Sequence, residues 1–168
     1  RVLNLFAYTG SLGVAAAAGG ARWVSHVELQ KRQLLRAKEN HRLNGLAVDD
    51  RNFVREDLYK HLRRAAKRDV EVDGIILDPP PMVPKRGAHL PPGQDYSTLV
   101  PLCAPRLAVG GWLLCFFHRR ERTREEYEAE VVGASPVPLE LLWQGTSGLD
   151  FPDDPQAKLR IAAFTRTG

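Results

Sequence analysis

The stretch from Arg1 to Gly20 constrains this chain more than any other. Val2-Leu3-Asn4-Leu5-Phe6 is a short apolar run, Thr9-Gly10-Ser11 is a turn, and Leu12-Gly13-Val14 leads into Ala15 to Ala18 and Gly19-Gly20. That succession predicts a strand, a turn and an alanine-rich helix. In an α/β protein, a turn that leaves a first parallel strand and opens a helix is where ligands collect. Glycine lets the backbone approach closely, and the first N–H groups of the helix are free. Gly10-x-x-Gly13 alone is a weak signal, shared with plain helix-capping turns. Its meaning comes from the strands and acids further along the chain.

Trp23 to Glu28 reads as a second strand that ends in an acid, and Gln30 to Leu43 as a helix with Leu34, Leu35 and Ala37 inward, stopped by Asn44-Gly45. Asn52 to Arg55 is a short third strand. Asp57 starts a helix in which Leu58, Leu62 and Ala65 keep the i, i+4, i+7 spacing. Val72 to Leu77 is a nearly continuous apolar run, expected of a strand buried on both faces, and it runs into Asp78-Pro79-Pro80-Pro81. After a Pro- and Gly-rich basic loop, Asp95 to Leu107 reads as a helix with Leu99, Leu102, Cys103 and Leu107 inward. Gly110-Gly111 leads into a fifth strand, Trp112 to Phe117, and Arg124 to Val132 is the last helix. Leu139 to Gln144 and Leu159 to Thr165 are two more strands with no helix between them, hence an antiparallel edge. Strands alternating with helices predict a mostly parallel sheet covered on both faces.

The length of 168 residues suits one domain, 1–168, with a proper core. The first residue is Arg1 and it lies against a strand, so we expect a fragment of a longer chain. No apolar run reaches the length of a bilayer span, which predicts no membrane partner. Cys103 and Cys115 form no CxxC pair, which argues against zinc and against a disulfide scaffold, and the expected setting is a reducing cytoplasm. A net charge of +4 permits a polyanionic partner without demanding one. The basic residues between Lys31 and Arg42 and between Lys60 and Arg68 read as solvated helix faces.

What ends each strand is more informative. The first gives a glycine turn, the second Glu28, the third Asp57 and the fourth Asp78 before prolines. An acid closing strand two is placed to accept from both hydroxyls of a ribose, which suits any adenosine-containing ligand. A dinucleotide site needs G-x-G-x-x-G, and the turn here carries only Gly10-x-x-Gly13.

Four segments in register resemble a known family: Leu5-Phe6-Ala7-Tyr8-Thr9-Gly10-Ser11, Ala37-Lys38-Glu39-Asn40-His41-Arg42-Leu43-Asn44-Gly45-Leu46, Arg55-Glu56-Asp57 and Ile76-Leu77-Asp78-Pro79-Pro80. They look like the class I S-adenosylmethionine-dependent methyltransferases, and within that class like the bacterial enzymes that methylate cytosine C5 or guanine N7 of 23S ribosomal RNA. The resemblance implies a Rossmann-like α/β sheet of seven strands in the order 3-2-1-4-5-7-6, the last antiparallel. It implies S-adenosylmethionine as cofactor and ribosomal RNA as partner. By the same resemblance Phe6, Ala7, Tyr8 and Gly10 line the methionine end of the cofactor. Glu28 holds the ribose with Leu29 against the adenine, and Asp57 accepts from the adenine amino group with Leu58 beside it. Asp78, Pro79 and Pro80 close the site at the reacting methyl. Read without the resemblance, Asp57 is equally a helix cap, Asp78 a strand-end turn acid and Tyr8 a core ring.

Two departures from the family pattern matter. Pro81 and Met82 follow Pro79-Pro80, where base-nitrogen enzymes often carry a stacking aromatic residue. The cysteine that C5 enzymes place just beyond strand five, needed to add to the cytosine ring, is matched here by His118. Cys115 lies three residues earlier, inside the apolar strand, where a buried thiol is inert. Methylation at a heteroatom such as guanine N7 needs no covalent step and fits better. Lys85, Arg86 and His89 after strand four, and His118, Arg119 and Arg120 after strand five, are expected to open on the cofactor's face and meet RNA phosphates. Tyr96 is a candidate stacking ring or a core residue. A methyltransferase for a small molecule or protein, and a non-catalytic RNA-binding paralogue, are the alternatives.

Overall fold

The structure is a computed structural model and describes residues 1–68, 70–80, 96–118, 122–147 and 159–168. In chain order the elements are β1 (Val2–Leu5), α1 (Ser11–Ala18), β2 (Val24–Glu28), α2 (Lys31–Leu43), β3 (Phe53–Arg55), α3 (Leu58–Ala66), β4 (Val72–Leu77), α4 (Tyr96–Cys103), β5 (Leu107–Phe117), α5 (Arg124–Ala134), β6 (Leu139–Thr146) and β7 (Arg160–Arg166). The strands form a seven-stranded sheet, β3-β2-β1-β4-β5-β7-β6. Only β7 runs against its neighbours, pairing antiparallel with both β5 and β6. This is the expected α/β topology. No helix among the described residues is long and apolar enough to cross a membrane.

Period-two alternation sends the strand side chains to opposite faces. Val2, Val24, Ile76 and Phe116 lie on one side, under Leu12, Ala16 and Ala17 of α1. Leu3, Leu5, Val27, Ile75, Leu77 and Leu113 lie on the other, packed with Leu62 of α3, Leu99 of α4 and Val131 of α5. Each such aliphatic side chain contributes roughly 1.5–3 kcal/mol by leaving water.

Three sequence expectations are corrected. Leu35 is 54% exposed, whereas Leu34, Ala37 and His41 are buried at i, i+3 and i+7. Leu35 stands about 100° round the helix from Leu34, so only one of the two can face the sheet. The helix expected to reach Leu107 stops at Cys103 and continues as a 3-10 turn, Ala104–Arg106. Pro105 has no N–H for the carbonyl of Pro101, so the α-helical ladder cannot go on. The fifth strand begins at Leu107, before the glycine pair rather than after it. Gly110, at φ 80, absorbs an irregularity where pairing jumps from Val72↔Leu107 to Gly74↔Trp112.

A histidine pair ties α2 to the sheet. His26 of β2 is fully buried and stacks on Phe53 at 4.8 Å, and its Nε2 lies 2.9 Å from His41 Nε2. Only one of those nitrogens can carry hydrogen, since two N–H groups would meet head to head. Burial, and then the neighbouring His41, lower His26 from 6.5 to about 4; burial also lowers His41 and His61. In the unfolded chain these imidazoles bind protons near pH 6.5, while in the folded chain they bind them only at lower pH, so stability is full above pH ~6.5 and falls below it. Denaturant unfolding is expected to show a loss on the order of 2 kcal/mol between pH ~7.5 and ~5, above the carboxylate range. Stability that stays flat across that window would contradict the buried neutral pair.

Candidate active site

Pairing of Leu5 with Val27 and with Leu77, of Glu28 with Arg55, and of Leu77 with Cys115 brings the carboxyl ends of β1 to β5 level. Residues just past those ends therefore share one edge, although they are far apart in sequence. A cavity of about 550 Å³ opens there, lined by Phe6, Tyr8, Glu28, Leu29, Asp57, Leu58, Asp78, Pro80 and His118, with Val27, Gln30, Glu56 and Tyr59.

The turn after β1 is held in an uncommon shape. Phe6 and Tyr8 have φ of 55° and 48°, the left-handed region that bulky residues avoid. Four hydrogen bonds hold it. Ala7 N–H donates to Val27 O at 3.1 Å, Gly10 N–H to Ala7 O at 2.7 Å, Tyr8 N–H to Glu28 Oε2 at 3.0 Å, and Asn40 Nδ2 to Thr9 O at 2.8 Å. Gly10 is at φ 77, and a Cβ there would lie 2.7 Å from Ala37 Cβ. Glycine is therefore what lets α1 and α2 meet at this point.

Glu28 also accepts from Gln30 N–H through Oε1, at 2.9 Å. Each oxygen then spends one of its two lone pairs, fixing the carboxylate while leaving acceptor capacity toward the cavity. Asp57 is the N-cap of α3, its Oδ1 accepting from Lys60 N–H at 3.0 Å, and it lies on the cavity wall as well. The helix-cap reading of Asp57 holds, and the residue faces the cavity as well. Behind it Glu56, which is 9% exposed, is held by Arg64 at 2.8 Å and His61 at 3.2 Å. At the far side, His118 Nε2 lies 2.6 Å from Asp78 Oδ1. Cys115 is fully buried in β5, and burial, with Cys103 nearby, holds its thiol well above the usual range. A thiolate does not form there.

The model of the S-adenosylmethionine-dependent methyltransferases matches residues 1–164. The chain belongs to this family. It is 38% identical over 116 residues to the ribosomal RNA large subunit methyltransferase I of Aeromonas salmonicida, a match covering 69% of this chain and 29% of that protein. The chain thus spans about three tenths of the length of the curated relatives it matches. A protein described as a methyltransferase and crystallised with SAH superposes with a TM-score of 0.83 at 24% identity, over 98% of this chain and 44% of that one. The SAM-dependent methyltransferase from Agrobacterium tumefaciens gives 0.71 at 22% identity, over 98% and 55%. At those identities the likeness speaks for the fold.

The donor set fits the family's cofactor. Carboxylates at the ends of β2 and β3 suit hydroxyl and amino donors, and Phe6, Leu29 and Leu58 offer apolar wall. As a methyltransferase fold, the chain brings together nine of the expected positions: Phe6, Tyr8, Glu28, Leu29, Asp57, Leu58, Asp78, Pro80 and His118. Ala7, Gly10 and Pro79 are buried and are not among the residues that line the cavity. Tyr96 is corrected to a core residue. It is 4% exposed, its hydroxyl donates to Phe116 O at 2.8 Å, and its ring meets Phe117 and Tyr127 edge-on. A ring so enclosed cannot stack on a base. Lys85, Arg86, His89, Arg119 and Arg120, with Pro81 and Met82, lie outside the described residues. Sequence reasoning missed Glu56, Asn40 and the His26–His41 pair. Glu56 and Asn40 lie inside the family-like segments, but their partners come from other elements.

Proposed function

We propose that the chain is the catalytic portion of an S-adenosylmethionine-dependent methyltransferase acting on a ribosomal RNA base, at a heteroatom and without a cysteine–base adduct. The carrying observation is the meeting of Glu28, Asp78 and His118 at one cavity, with no exposed cysteine among its lining residues. The similarity to the Aeromonas ribosomal RNA large subunit methyltransferase I supports RNA as substrate, and the net charge of +4 is compatible with it.

The cofactor supplies a methyl group already activated on a sulfonium. What remains for the protein is binding, alignment and exclusion of water. Glu28 accepts from the ribose hydroxyls, while Phe6, Leu29 and Leu58 enclose the apolar surface. Asp57 accepts an amino donor through Oδ2, which has no partner among the described residues. Asp78 and Pro80 border the place where the target base enters, and the four carboxylates on the wall favour a cationic ligand.

The mechanistic part is tested with tritiated S-adenosylmethionine and large-subunit ribosomal RNA, with 5-fluorocytosine-substituted RNA offered in parallel. The expected results are labelled RNA, no covalent adduct, and undiminished turnover for folded Cys115→Ser, although the buried hydroxyl costs about 1–3 kcal/mol of stability. An adduct trapped through Cys115 would restore carbon-5 chemistry and overturn the heteroatom reading.

A further inference from the structure

We propose that His118, oriented by Asp78, is the base that takes a proton from the target, and that the methyl acceptor is therefore a nitrogen or oxygen that carries hydrogen. This rests on the methyl-transfer reading above and narrows its substrate class.

The geometry is that of an acid that aims an imidazole. Asp78 stands one residue past β4 and His118 one residue past β5, two strands paired side by side. Their 2.6 Å contact commits Nε2 to the carboxylate. Nδ1 has no hydrogen-bond partner among the described residues, and His118 lines the cavity. Nδ1 is thus the nitrogen left for a substrate. With Nε2–H donated to Asp78, Nδ1 holds the lone pair, which is the tautomer a general base needs. The two side chains are 26% and 31% exposed, and a polar contact that open is worth little to stability, so folding alone gives scant reason for it.

The imidazole shares its cavity wall with several acids. Glu28 from β2, Glu56 and Asp57 before α3, and Asp78 itself are the acids on the same cavity wall, and Tyr8 lies on its rim. From α4, Tyr96 is committed to Phe116 O. No described cation lines the cavity beside His118.

The lone pair of the target atom forms the bond to the methyl carbon, and the methyl–sulfur bond breaks with its electrons returning to sulfur. The hydrogen on the target atom passes as a proton to Nδ1, and the Asp78 carboxylate faces the resulting imidazolium. The proton then leaves to water. Guanine N7 carries no hydrogen and would leave this base idle. An exocyclic amine, a ring N–H or a hydroxyl would use it.

The test takes the full-length protein, tritiated S-adenosylmethionine, and 23S ribosomal RNA from cells lacking the protein. Single-turnover rates are followed from mildly acidic to mildly basic pH, cofactor affinity by calorimetry, and the product by nucleoside mass analysis. His118→Gln keeps a donor for Asp78 but no base. It is expected to bind the cofactor as the parent does, to react about 10²–10⁴-fold more slowly, and to lose the rise of rate with pH that the parent shows. Asp78→Asn, acting through His118, is expected to shift that pH profile as well as the rate. The parent's product is expected to carry its methyl on an atom that bore hydrogen. Parental rates and pH profile in His118→Gln would overturn the assignment, as would 7-methylguanosine or 5-methylcytidine from the parent, a readout that depends on no variant. Undiminished transfer by His118→Gln removes the base and leaves the methyltransferase reading standing. Cofactor binding without transfer to RNA by the parent removes both.

Discussion

Replacing Glu28 by alanine is expected to weaken S-adenosylmethionine binding by roughly 1.5–3 kcal/mol, about 10- to 150-fold in Kd, as read by calorimetry. Two losses add. The carboxylate that would accept from the ribose is gone, and hydrogen bonds to charged acceptors are the strong ones. The turn also loses a tether, because Oε2 holds Tyr8 N–H while Oε1 holds Gln30 N–H. Tyr8 sits at φ 48, a conformation that persists only while its surroundings hold it. Glu28→Gln keeps one acceptor oxygen and is expected to fall between the parent and Glu28→Ala. Parental affinity in folded Glu28→Ala would remove Glu28 from the cofactor site.

Gly13→Ala is expected to destabilise the fold by roughly 2–3 kcal/mol, although alanine is the better helix former by about 1 kcal/mol. A Cβ at Gly13 would lie 2.2 Å from His26 Cε1, 2.9 Å from His26 Nδ1 and 3.0 Å from Asn4 Nδ2. The imidazole has nowhere to go, being stacked on Phe53 and bonded to His41. Relief has to come from α1 lifting off β2, which would carry Gly10 and the turn with it. Gly133 of α5 is the control, since a Cβ there meets nothing within 4 Å. Gly133→Ala is expected to be neutral or to stabilise by up to about 1 kcal/mol. Thermal melts in which both variants behave alike would contradict the packing of α1 on the sheet.

Asp78 was legible in the sequence because it follows an apolar run whose length and register leave little choice. Val72 to Leu77 can only be a doubly buried strand, so Asp78 must stand at its exit. The glycine pair before Trp112 was harder. As punctuation it suggests a turn, yet a two-glycine irregularity inside a strand looks identical until pairing with β4 is known. Tyr96 illustrates the same limit. Its partners Phe117 and Tyr127 come from β5 and α5, and nothing local says whether a ring near a loop enters the core. The histidine pair was invisible for a like reason: His26 and His41 approach only when α2 folds back across β2. The contact between Asp78 and His118 needed the pairing of β4 with β5, although each residue stands out in the sequence on its own.

The most direct test is mass mapping of methylated nucleosides in ribosomal RNA from cells with and without the full-length protein, complemented by the parent or by Asp78→Ala. The expected result is a methylated base that disappears from large-subunit RNA without the protein, returns with the parent, and does not return with Asp78→Ala. Identical methylation with and without the protein would contradict a ribosomal RNA methyltransferase.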